Sequence, residues 1–170
     1  MSRSPALSPV PVTLAPDARA EAYRIVAIEI ASVLEGEPDR VARMATVVSM
    51  LAERFDHYFW TGFYSVDAQK PDELVVGPYQ GSLGCLRIAF GRGVCGTTAA
   101  QQATMIVPDV HDFDGHIACD IRSQSEIVVP VFDKFGRLIA VFDVDSTQPA
   151  AFDAIDARGL EAIMRQVFAG

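Results

Sequence analysis

The sequence predicts an α+β fold: a single domain on a mostly antiparallel sheet of about six strands, with helices packed on one face. Three observations predict it. Apolar periodicity is helical near both ends of the chain and alternating in its middle. The strand-like segments cluster, and two of them are joined by a four-residue turn, which marks antiparallel pairing. Regular strand–helix alternation, which a doubly wound parallel sheet requires, is absent. A chain of 170 residues, half apolar and 21% charged, can bury the core that such a domain needs.

The elements follow in order. Residues 1–16 are rich in Pro and Ser and lack the apolar stretch of a signal peptide, so they are expected to be a flexible tail before a domain at 17–170. Pro16-Asp17 opens a helix expected over Ala18–Leu34, with Ala22, Ile25, Val26 and Ile30 in its apolar pattern. Gly36 punctuates, and Pro38-Asp39 starts a second helix ending near Phe55, with the stripe Met44, Val47, Val48 and Leu51. Both stripes read as core packing or a dimer contact. From Tyr58 to Val66 an aromatic-rich segment alternates as a two-faced strand. Asp67–Asp72 is a polar turn, and Glu73–Val76 a short strand stopped by Gly77-Pro78. Cys85–Phe90 reads as a strand, Gly91-Arg92-Gly93 as its break, Val94–Ala103 as a short helix and Met105–Val107 as a brief strand. Pro108–Gln124 is polar and long enough for a functional loop. Strands at Ser125–Phe132 and Arg137–Asp145 flank the turn Asp133–Gly136, and a last helix is expected over Phe152–Phe168.

Charge narrows the partners. A net charge of −8 with no Lys/Arg cluster repels phosphate backbones and anionic membrane, so neither is expected as a partner. No apolar run reaches the roughly 20 residues of a membrane span. A cytoplasmic location is therefore expected, where thiols are held reduced and cysteines are not staples. The odd count of three, Cys85, Cys95 and Cys119, argues against a closed disulfide framework.

Those cysteines allow several readings. Their spacing contains no zinc knuckle, although Cys119 with His116 and His111 could meet around a metal. All three could be small buried hydrophobes. Cys95 begins a helix, where the dipole and free N–H groups favour a thiolate. Cys119 lies in the polar segment, where a packed thiol is least expected. Acids form a second group: Asp143 and Asp145, two apart on a strand, share a face, and Glu126 starts the neighbouring strand. Carboxylates buried there need a ligand cation or a proton, unless they are simply solvated strand ends. Trp60 and Tyr64, four apart on a strand, also share a face and could cage a methyl or sulfur group, or could be ordinary core.

The runs Trp60-Thr61-Gly62-Phe63-Tyr64, Gly77-Pro78-Tyr79-Gln80-Gly81 and Gly91-Arg92-Gly93-Val94-Cys95-Gly96-Thr97 resemble the free methionine-(R)-sulfoxide reductases. So do Gly115-His116-Ile117-Ala118-Cys119-Asp120, Ser125-Glu126-Ile127-Val128-Val129-Pro130 and Asp143-Val144-Asp145-Ser146. The resemblance covers Trp60 to Ser146 and implies a GAF fold. It implies a catalytic Cys119, with Cys85 and Cys95 as resolving or auxiliary thiols, and a substrate pocket lined by Trp60, Tyr64, Glu126, Asp143 and Asp145. It further implies recycling by thioredoxin without a bound cofactor or metal, and a homodimer is expected. Two positions depart from the pattern: Arg122 replaces a small residue and Ala89 a proline, the first able to alter electrostatics near Cys119. A GAF-type ligand-binding or redox-sensing module is the alternative. Such modules are usually joined to an output domain, for which these residues are expected to leave no room.

Overall fold

Each long helix starts where the sequence supplies a start signal. A computed structural model of the chain, describing residues 11, 14–115 and 120–170, shows how. Helix α1 (Pro16–Val33) has proline in its first turn, where the missing N–H costs nothing. Helix α2 (Arg40–Arg54) is capped by Asp39, whose carboxylate accepts from the Ala42 N–H at 2.8 Å. The last helix in the chain has a capping box: Asp153 accepts from the first-turn backbone, and Asp156 accepts in return from the Asp153 N–H at 2.8 Å. It spans Ala154–Phe168 and is α4. Helix α3 (Gly93–Gln101) has no side-chain cap and ends at Gln102 in the left-handed region. No helix among the described residues is long and apolar enough to cross a membrane. Apart from its last residue and residues 11, 14 and 15, the expected tail lies outside the described residues, and Pro16 already belongs to α1.

Six strands form one sheet in the order β3-β2-β1-β6-β5-β4. They are β1 (Trp60–Val66), β2 (Glu73–Gln80), β3 (Arg87–Ala89), β4 (Met105–Val107), β5 (Ser125–Phe132) and β6 (Leu138–Ser146). Every neighbouring pair is antiparallel. Strand β2 runs on through Gly77-Pro78 to Gln80, beyond the expected stop. The register with β1 shifts between Gly62 and Tyr64, so Gly77 and Pro78 together oppose Phe63 in a bulge. Proline is tolerated there because a bulge does not need its donor. Strand β3 is shorter than expected, since its ladder with β2 covers only Arg87–Ala89. The polar segment after β4 contains a 3-10 turn at Val110–Asp112, started by Asp109 and anchored by the buried Val110.

The sheet separates two clusters. On one face Phe63, Ile127, Val129, Val131, Ala140, Phe142 and Val144 pack against α1, α2 and α4. Each large apolar side chain buried there contributes roughly 1.5–3 kcal/mol. The other face carries Trp60, Tyr64, Val128 and Val141 beneath Val94, Cys95 and Ala99 of α3. Three helices thus share the expected face, and α3 is the α-helix that covers the opposite one among the described residues.

Candidate active site

Strand register sets the site. Trp60 lies opposite Asp145 on β6, and Asp145 opposite Glu126 on β5. One row along, Gly62 faces Asp143, and Asp143 faces Val128. Because side chains alternate, Trp60, Tyr64, Glu126, Asp143 and Asp145 project from one face. All five residues expected in the pocket line the same cavity. The Trp60 ring lies flat between Tyr64 and Tyr79, with centroids 5.6 and 5.3 Å away and planes tilted by 16° from each. Gly62 permits this pose: a Cβ there would stand 2.4 Å from the Tyr79 Cβ and 2.7 Å from the Trp60 ring. The indole N–H donates to the Ser82 carbonyl at 3.0 Å, and the Tyr64 hydroxyl accepts from the Cys85 backbone.

Helix α3 roofs the acids. It sits so close to the end of β3 that a Cβ on Gly96 would fall 2.3 Å from the Ala89 carbonyl oxygen. That approach brings Cys95, in the first turn of α3, onto the carboxylates. One ligand-type atom from each of Cys95, Glu126 and Asp143 lies within 4.8 Å of the others. These residues are 4%, 5% and 5% exposed, whereas Asp145 is half-buried. Asp143 shares hydrogen bonds with Cys95 and Glu126, yet its Oδ1 is buried with no hydrogen-bond partner among the described residues.

Burial dominates the electrostatics. Loss of water, followed by the charge of Asp145, pushes Glu126 well above the usual carboxylate range. Loss of water, then the charges of Glu126 and Asp145, does the same to Asp143. The Cys95 thiol is also driven well up, first by burial and then by Asp143 and Glu126. Of the two readings of Cys95, thiolate or packed thiol, burial favours the packed thiol. The dipole of a nine-residue helix is a small effect beside burial against acids, which favours the proton staying on Cys95. Cys85 is disulfide-bonded, and Cys95 is a free thiol. Cys119, with His116, lies outside the described residues. His111, the remaining member of the zinc alternative, is exposed and holds Asp109 through Nδ1 at 2.8 Å.

Several lining residues escaped the sequence reading: Ser82, Leu83, Arg92, Asp120 and Ser123. The Ser82 hydroxyl donates to Asp120 at 2.6 Å, and the Arg122 guanidinium reaches the same carboxylate at 2.7 Å. Arg122, then Ser82, hold the Asp120 carboxyl below the usual range. The Arg122 charge is thus spent on Asp120 and on the Phe59 ring, 4.6 Å from its centroid. Arg92 had a signal, being the basic residue inside the Gly91–Gly93 break; Ser82 and Ser123 had none, because only the fold brings them to the cavity. The acid-floored, aromatic-walled pocket can take a small cationic ligand with a methyl or sulfur group.

Comparison with known proteins places this arrangement. A family model described as GAF domain matches residues 39–168. The chain is 47% identical over 145 residues to GAF domain-containing protein A of Dictyostelium discoideum, covering 85% of this chain and 89% of that one. It is 40% identical over 149 residues to the free methionine-R-sulfoxide reductase of Escherichia coli, covering 88% of each. Among solved structures it is similar to the free methionine-R-sulfoxide reductase of Neisseria meningitidis in complex with its substrate. That similarity has a TM-score of 0.83 and 47% identity, over 88% of this chain and 87% of that one.

Proposed function

Because this chain belongs to the free methionine-R-sulfoxide reductase family of GAF-domain proteins, we propose that it reduces free L-methionine (R)-sulfoxide to methionine through thiol chemistry. The observation that carries the reading is the pairing of the flat Trp60–Tyr64 wall with three carboxylates on one buried face. An amino acid with its ammonium free is recognised there by charge. The same sulfoxide within a polypeptide offers a neutral amide and gains nothing from the acids.

In this mechanism the Cys119 thiolate attacks the sulfoxide sulfur. A proton reaches the sulfoxide oxygen, which passes to Cys119 as methionine leaves, so that thiol plus sulfoxide become sulfenic acid plus thioether. Glu126 and Asp143, hydrogen-bonded to each other and pushed up by burial, hold the proton for that oxygen. Asp145, half-buried beside Trp60, is the carboxylate for the ammonium. Cys85 then condenses with the sulfenic acid, releasing water and forming a disulfide, and thioredoxin regenerates both thiols. Two facts favour Cys85 over Cys95 as the resolver: Cys85 is disulfide-bonded, while Cys95 is a free thiol buried under the acids. The cytoplasmic, homodimeric enzyme expected from the sequence is part of the same proposal, as is the absence of a cofactor.

The test incubates pure protein with the R or the S isomer of free methionine sulfoxide and dithiothreitol, following methionine. Methionine should form from R alone, and Cys119→Ser should lower its rate by at least about 10⁴-fold, as loss of a nucleophile does. No methionine from either isomer would return the chain to the ligand-binding or redox-sensing alternative. Cys85→Ser should impair thioredoxin-coupled turnover more than single-turnover methionine release; equal losses would remove Cys85 as the resolver.

A further inference from the structure

The deepest part of the cavity has a property that sulfoxide reduction does not use. Cys95, Glu126 and Asp143 come from α3, β5 and β6 and point one ligand-type atom each into a volume less than 4.8 Å across. In tetrahedral zinc sites, metal–ligand lengths of about 2.0–2.3 Å put donor atoms about 3.5 Å apart, inside the 4.8 Å that bounds the separations of these atoms. The second observation is Asp143 Oδ1. Asp143 is 5% exposed and lines the cavity, and this oxygen has no hydrogen-bond partner among the described residues, although a buried carboxylate oxygen is normally satisfied.

The donor chemistry selects the ligand. Calcium and magnesium take oxygen donors, and magnesium keeps much of its water, so neither suits a buried sulfur. One thiolate and two carboxylates suit a borderline ion that accepts four ligands. Three protein donors at the bottom of an open cavity leave the fourth position facing the space where substrate enters. We propose that Cys95, Glu126 and Asp143 form a site for a single Zn²⁺ or Co²⁺ ion, which occupies the cavity floor in place of substrate. Binding replaces the thiol and carboxyl protons by the metal, with no change of oxidation state. That the ion inhibits turnover rests on the reductase reading above; that it binds does not.

The experiment titrates Co²⁺ anaerobically into the disulfide-bonded protein, in which Cys95 is a free thiol, and records the near-ultraviolet thiolate-to-cobalt band. Equilibrium dialysis with Zn²⁺ supplies the stoichiometry. One ion per chain is expected, with a band that disappears in Cys95→Ser. Asp143→Asn and Glu126→Gln should each weaken binding by about tenfold or more, since even outer-shell partners of metal sites count for 10–100-fold. Thermal melts of each variant identify any that has failed to fold, and the three substitutions give independent readings. No band, a band that survives Cys95→Ser, or an affinity unchanged by both acid substitutions would overturn the site. Methionine formation by the metal-free enzyme is measured separately. Turnover without cobalt binding removes the metal site alone, and cobalt binding without turnover removes the reductase reading alone.

Discussion

Two carboxylates, one on each side of the molecule, are nearly equally buried and differently surrounded. Asp156, 0% exposed on α4, accepts from the Tyr23 hydroxyl at 2.9 Å and from the Asp153 N–H at 2.8 Å, with the Arg19 guanidinium 3.7 Å away. The Tyr23 hydroxyl is in turn hydrogen-bonded to that of Tyr58 at 2.7 Å. Burial still raises Asp156, but these donors and the Arg19 charge oppose it. Asp143, beneath α3, is raised further, with Glu126 and Asp145 adding to the burial and one oxygen without a donor among the described residues. In the first site both oxygens of the carboxylate have donors, and the group ties α1 to α4. The second is arranged for something that arrives, a proton or a cation. Satisfied acids hold the fold, and the acids left costly by it are the ones given a role in the proposed chemistry.

Four tests on three substitutions break or sharpen that contrast. The largest effect is expected from Asp143→Asn on steady-state kinetics: kcat/KM for free methionine (R)-sulfoxide should fall about 10²–10³-fold, the scale of removing one electrostatic group from a reacting centre. Next, Asp156→Ala should cost about 2–4 kcal/mol in urea denaturation. It removes the N3 half of a capping box and leaves the Tyr23 hydroxyl and Arg19 short of a partner. Turnover per folded molecule should stay as in the parent. Gly62→Ala should cost about 1–3 kcal/mol by overpacking against Tyr79 and Trp60. It should also raise KM more than it lowers kcat, because it displaces a wall and not a reacting group.

The smallest effect has the opposite sign. In the unfolded chain Glu126 and Asp143 ionise near pH 4, whereas in the folded protein they hold their protons to much higher pH. The unfolded state therefore binds fewer protons as pH rises, and stability falls through that window. Asp143→Asn removes one such group, so it should stabilise the protein by about 0.5–2 kcal/mol at neutral pH. The gain should shrink through pH 4 and vanish by about pH 3, where both states are protonated. Melting curves from neutral pH down to about pH 3 check it; an undiminished gain at about pH 3 would assign the effect to packing.

How legible the molecule was depends on the range of the forces involved. Strands β4 and β5 lie where short apolar runs placed them, and α2 and α4 begin beside their capping aspartates. Local patterns suffice for such elements. The extension of β2 past Gly77-Pro78 depends on a bulge opposite Phe63, which no local rule about proline anticipates. The same division runs through the site. Trp60 with Tyr64, and Asp143 with Asp145, share a face by strand period alone. Ser82 and Ser123 reach the cavity only through loops, and the state of Cys95 follows from which acids the roofing helix meets.

Period, caps and turns are short-range, so the amino-acid order was enough to establish an α+β domain, its element order and the face on which the aromatic and acidic residues gather. Burial and charge coupling act across strands and helices far apart in the chain. Only the folded arrangement could therefore decide that α3 crosses to the other side of the sheet, that its thiol stays protonated, and that Asp143 and Glu126 share a water-poor floor.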